Sequence, residues 1–182
     1  MSLFLLVFLC VFLCVFLAVA LAVTGDHEPK KCGKTTEGVI SYYNSSENDE
    51  LPNFYRGRYT GLKWECVEFV RRYLIATRNL TFPSVQNALS MMNIPFLTPV
   101  SYRNDHKIPV VFRSGKTQLN PKKGDVIFFH DRFTGHVGIV TKISGDTIYV
   151  ASQNGTPQEW EGDDYWQTFK RTDNKIIGWW EL

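Results

Sequence analysis

No run of like charge longer than a few residues occurs in this 182-residue chain, and twenty lysines and arginines against eighteen aspartates and glutamates leave a formal net charge of +2. A phosphate backbone finds no basic stripe to grip, which removes nucleic acid from the candidate partners. There is no Cys-x-x-Cys and no His-x-x-x-His pair, and His130 and His136 are separated by a turn. The spacing of a zinc site is missing, so neither a metal nor another cofactor is expected. Cysteine is scarce too: Cys10 and Cys14 lie in an apolar front, leaving only Cys32 and Cys66. Thiol chemistry falls to those two, unless an oxidising compartment bridges them.

Charge is absent altogether from residues 3 to 23, and no lysine or arginine precedes them. Such a stretch is a targeting segment, longer than the usual signal-peptide core and long enough to span a membrane. Ala18, Ala20 and Ala22 supply the small residues a signal peptidase needs, so cleavage is expected after Ala20 or Ala22, the alternative being an uncleaved signal anchor. The expected organisation is residues 1–22 as signal peptide or signal anchor, 23–37 as linker and 38–182 as one domain. That places the domain outside the cell or in the secretory lumen, on a membrane only if the front is uncleaved. Sequons at Asn44, Asn79 and Asn154 fit that route. The ~160 residues that follow suffice for one compact core, and 44% apolar with 14% aromatic residues is a globular composition.

The chain is organised around residues 59–74. Val67, Val70 and Leu74, widened by Phe69 and Tyr73, recur at three to four residues and predict an amphipathic helix from 65 to about 77. Thr60 is a candidate cap, and Cys66 falls in the first turn, where unpaired backbone N–H groups favour thiolate over thiol. Tyr59, Trp64 and Glu65 flank the cysteine and are candidate substrate contacts. A second helix is expected over 84–92, capped by Ser84. Residues 93–121, with Pro95, Pro99, Pro109 and Pro121, read as an irregular crossing.

From Lys122 the pattern turns to strands: 126–130, 134–141 and 147–154, then 176–181 at the end. A three-residue Ser144-Gly145-Asp146 hairpin loop sets His136 opposite Asn154 with Ser152 diagonal to it; a five-residue loop sets Ser152 opposite. In both registers His136, Ser152 and Asn154 share one face and Val137 and Ile139 the other. A helix-start cysteine followed by a strand-borne histidine and a polar group on the paired strand is the order a thiol hydrolase needs. The imidazole takes the thiol proton and returns it to the leaving amine while a third group fixes its tautomer.

The stretch from Gly61 to Arg72 around Cys66, the Lys123-Gly124-Asp125-Val126 turn, Thr134-Gly135-His136-Val137 and Gln153-Asn154 resemble the CHAP family of cysteine- and histidine-dependent amidohydrolases and peptidases, in particular its glutathionylspermidine amidase and D-alanyl-glycyl endopeptidase-like branches. The resemblance implies an α+β, papain-like fold, with N-terminal helices packed on an antiparallel sheet, and amide cleavage through a thioester. It matches Cys66 to the nucleophile and His136 to the base. Two positions depart from the family pattern: Glu65 replaces the glutamine before the cysteine, and Ser152 replaces the glutamate that orients the histidine. Asn154, assisted by Ser152, is the expected orienting group. The expected substrate is a cell-wall peptide or a glutathione-polyamine conjugate, with Asp49, Glu50, Asp163 and Asp164 as acidic residues available to a basic leaving group. The alternative is an impaired module that only binds peptide or glycan.

Overall fold

The computed structural model describes residues 28–48, 50–101, 106–131 and 133–182. The apolar front expected as signal peptide or anchor, and Asp49, lie outside the described residues. Among the described residues no helix is long and apolar enough to cross a membrane. The elements are β1 (Lys31–Lys34), β2 (Ile40–Tyr42), β3 (Pro52–Tyr55), β4 (Arg58–Leu62), α1 (Cys66–Arg78), β5 (Leu80–Thr81), α2 (Ala88–Met91), β6 (Phe96–Pro99), β7 (Ile108–Pro109), β8 (Val111–Ser114), β9 (Val126–Phe129), β10 (His136–Ser144), β11 (Thr147–Ala151), β12 (Gln167–Lys170) and β13 (Ile176–Glu181). Six of them form one sheet in the order β12-β11-β10-β9-β13-β8, each neighbouring pair antiparallel. This is an α+β architecture with a single dominant helix.

β9 lies inside the sheet, and all four of its residues are buried. Its side chains alternate between two cores. Val126 and Phe128, with Val137, Ile139, Ala151 and Trp180, meet Cys66, Phe69, Val70, Tyr73 and Leu74 of α1. Ile127 and Phe129, with Val140, Ile148, Val150 and Trp179, pack on Trp166 and Phe169. Leu74 is completely buried; truncating it to alanine costs about 2–5 kcal/mol.

Several local expectations are corrected. Lys31–Lys34, expected in the linker, is a strand paired with β2. The second helix shrinks to Ala88–Met91 because Asn87, not Ser84, caps it, its side-chain oxygen accepting from the Ser90 N–H at 2.9 Å. Thr60 caps nothing: it is buried in β4, and the cap position of α1 is Glu65, which makes no side-chain capping bond. The crossing at 93–121 carries three short strands, of which β8 adds to the sheet edge at β13.

The β10–β11 hairpin closes on two residues, Gly145 and Asp146, since Ser144 pairs with Thr147. Gly145 takes a φ of 56°, which glycine adopts without strain. A bulge at Thr141 then shifts the register, so that Ile139 faces Ala151. Two deviations from the expected turn cancel: a shorter loop and an added residue in the strand.

Candidate active site

Cys66 is the first residue of α1 because Glu65 is extended (φ −75°, ψ 155°) and its carbonyl accepts the first helical bond, from the Phe69 N–H at 3.0 Å. The thiol accepts hydrogen bonds from the backbone N–H groups of Val137, Val67 and Cys66 itself, which lower its pKa. Burial, and after it the charge of Glu65, outweigh them and push the thiol up to about 12. The primed thiolate expected from the helix start is therefore corrected. Donors are present, but desolvation of a buried sulfur wins. Cys32 and Cys66 are both free thiols.

β11 ends at Ala151, so at Val137, where β9 still pairs on one side, β10 has no ladder partner on the other. The two polar groups of Val137 are satisfied by the site instead. Its N–H reaches the Cys66 sulfur, and its carbonyl accepts the Ser152 hydroxyl at 2.7 Å. The thiol is thereby fixed on the residue that follows His136. His136 opens β10 on the same face as Phe129 and tilts against the Trp166 ring, centroids 5.0 Å apart. Its Nε2 lies 2.7 Å from Ser152 Oγ. A hydroxyl has one proton. Ser152 gives that proton to the Val137 carbonyl, so Oγ can only accept from the imidazole. Nε2 then carries the hydrogen and Nδ1 keeps the lone pair. Gly138 makes room for this: a Cβ there would lie 2.6 Å from the Val150 side chain and 3.2 Å from Ser152 Cβ.

Burial lowers the His136 pKa to about 4, against a weaker upward pull from Asp131. Among the described residues no hydrogen bond joins Cys66 to His136, and at neutral pH both groups are uncharged. Asn154, expected to orient the imidazole, turns elsewhere. At φ 60° its Nδ2 donates to Glu65 Oε2 at 3.1 Å, while Asn44 Nδ2 donates to Oε1 at 3.2 Å. The nitrogens that a glycan would occupy at these two sequons are thus committed to Glu65; Asn79 is exposed.

Cys66 and Glu65 face a cavity of about 470 Å³ bounded by Tyr59 and Leu62, by the segment from Ser84 to Ala88, and by Thr134 and Gly135. Tyr59 and Glu65, two of the expected substrate contacts, line this cavity. Trp64 does not: it is buried on the far side, 4.3 Å from the Tyr42 ring, lining a separate hollow with Arg72. The His136 ring borders a smaller cavity of about 100 Å³ with Trp166 and Phe169. Glu50 and Asp163 are exposed and Asp164 is half-buried, and none of the three lines the Cys66 cavity.

The family model of the CHAP domain matches residues 57–154, more than half of the chain, from Tyr59 through Cys66 and His136 to Ser152 and Asn154. The chain belongs to the CHAP domain family. It is 34% identical over 101 residues to the bifunctional glutathionylspermidine synthetase/amidase of Escherichia coli (strain K12), a stretch that is 53% of this chain and 16% of that protein. Two proteins of Crithidia fasciculata are also similar: a glutathionylspermidine synthase, 33% identical over 110 residues (58% of this chain, 15% of that one), and a trypanothione synthetase, 27% identical over 106 residues (57% and 16%). The matched stretch spans about a sixth of these relatives' length.

What holds the site of this CHAP domain together was not read from the sequence. Glu68 is completely buried and accepts from Asn53 Nδ2, Thr60 Oγ1, Arg72 Nε, Arg72 Nη2 and Gln153 Nε2 at 2.8 to 3.1 Å. Gln153 in turn donates to the Glu65 carbonyl and accepts from the Tyr42 N–H and from Arg72. The strand end bearing Ser152 is thereby tied to the helix start bearing Cys66. One signal was available: Glu68 and Arg72 sit four apart on a helix whose neighbouring positions are apolar, so burial forces them to pair. Asn44 and Gln153 gave no such signal, because a single polar residue in a loop carries no periodicity.

Proposed function

We propose that this CHAP domain is a cysteine amidohydrolase that cleaves an amide bond through a thioester on Cys66, in a papain-like arrangement of helix-start thiol and strand-borne histidine. The observation that carries the reading is the Ser152 bridge, which leaves Nδ1 of His136 as the basic nitrogen one residue from the amide that holds the sulfur. Nδ1 takes the thiol proton as sulfur attacks the carbonyl carbon, and the N–H groups of Cys66 and Val67, which hold the resting sulfur, become available to the developing charge as the sulfur moves to carbon. The proton then passes to the leaving amine. Water, deprotonated by the same Nδ1, releases the acyl half and restores the thiol. Because the resting pair is neutral, proton transfer accompanies attack rather than preceding it. The named activities of the E. coli and Crithidia relatives support a glutathione-polyamine amide as substrate, and an exported location, read from the apolar front, supports a cell-wall peptide.

A second reading, a module that binds without turnover, is favoured by Glu65 and by the high resting pKa of Cys66. Both readings are tested by assaying Cys66→Ala and His136→Ala against a panel holding both amide classes. A hydrolase loses about 10⁴-fold or more of its kcat/KM in either variant. Turnover that survives Cys66→Ala rules out the thioester, and binding with no turnover by the wild type leaves the binding module.

A further inference from the structure

Glu65 is an anion facing a cavity that Arg71 also lines. Among the described residues it enters no ion pair. The neighbouring charges are accounted for. Glu68 is neutralised by Arg72 at 2.8 Å, and the terminal nitrogens of Arg71 are spent on the carbonyls of Thr60 and Pro83. The charges that act on Arg71 are those of Tyr59 and Glu68, not Glu65. Two amides, from Asn44 and Asn154, donate to one carboxylate oxygen each and orient the group. An oriented, unpaired carboxylate opening on a cavity of this size is a receptor for a cation. Its charge also acts on the Cys66 thiol, against ionisation.

We propose that Glu65 is a specificity-determining residue that binds an ammonium group carried by the substrate next to the scissile amide, and that this pairing relieves Cys66 of the opposing charge. The substrate thus brings the counter-ion that its own cleavage needs. A neutral amide leaves Glu65 bare beside a developing oxyanion and is turned over poorly; an acidic one is repelled. The proposal rests on the reading of the cavity as the place where an amide meets Cys66, but its test does not need turnover.

The probe is n-butylammonium chloride, with n-butanol as the neutral control and sodium chloride to match ionic strength. Full-length protein is alkylated with iodoacetamide, and the Cys66 and Cys32 peptides are quantified separately by mass spectrometry. Butylammonium is expected to speed Cys66 alkylation about fivefold, the size of one unit-charge contact in a water-like medium, and to leave Cys32 unchanged. In Glu65→Gln the Cys66 rate is expected to be higher without the amine and indifferent to it, in protein whose circular dichroism matches the wild type. No acceleration in the wild type, or equal acceleration in Glu65→Gln, overturns the proposal. Because the wild-type arms stand alone, a variant that misfolds does not rescue it. Loss of hydrolysis with an intact cation effect sinks the proposed enzyme and spares the subsite; the reverse spares the enzyme.

Discussion

Acidification is the perturbation that acts most selectively on the site. An imidazole held neutral by burial binds its proton only below about pH 4, whereas in the unfolded chain it does so at its ordinary value of 6.5. Between those values the unfolded state carries the extra proton, so stability is fully present above pH 6.5 and drains away as the pH falls toward 4. The gap corresponds to about 3 kcal/mol, a large share of a domain's total stability. The lowered carboxyls of Glu37, Glu159 and Glu181 also lose stabilisation in acid, so the histidine must be isolated by difference. Urea unfolding of wild type and His136→Gln at half-unit steps from pH 7.5 to 4 does this. Glutamine still donates to Ser152 but does not titrate. The wild type should lose about 3 kcal/mol more than the variant over that range. Parallel curves, or a His136 ring resonance with a midpoint near 6.5, would refute the burial argument.

Further outcomes follow from the same geometry. Iodoacetamide should label Cys66 at pH 7.5 about 10²-fold more slowly than a free cysteine, the small thiolate fraction being partly offset by the nucleophilicity of a more basic sulfur; a faster rate would mean that the thiol is not held neutral. Ser152→Ala should lower kcat/KM about 10²-fold by freeing the imidazole tautomer, while Ser152→Glu should raise the His136 midpoint. If neither change moves the ring's titration, Ser152 is not its anchor. Glu68→Ala leaves the buried Arg72 guanidinium without its counter-charge and should cost about 3–5 kcal/mol in urea unfolding, and a cost below about 1 kcal/mol would show that the network is solvated.

The periodicity of Val67, Val70 and Leu74 and the run Val126 to Phe129 announced α1 and the middle of the sheet, because each repeats burial along one element. The co-facial grouping of His136 and Ser152 was legible for the same reason: alternation along a strand survives errors in the turn. The turn itself was not, since a two-residue loop plus a bulge at Thr141 gives the same final register as a three-residue loop. Short elements with little apolar repeat, β1 and β5 to β8, left no trace in the pattern. The charge state of Cys66 was misread for a different reason. The helix-start donors are visible in sequence, while the burial that overrides them is made by the sheet and is a property of the whole fold. Asn154 was assigned to His136 from the shared strand face and the family resemblance, and the carboxylate of Glu65, an opposite partner for its amide, settled its direction.

In the proposed reaction an acyl group passes through the sulfur of Cys66. Rapid acid quenching during turnover of a glutathione-polyamine amide, followed by peptide mass spectrometry, reads this directly. A transient mass increase, equal to the acyl half of the substrate, is expected on the peptide holding Cys66 and none on that holding Cys32. Steady hydrolysis with Cys66 unmodified at every quench time, or the adduct on Cys32, would contradict it.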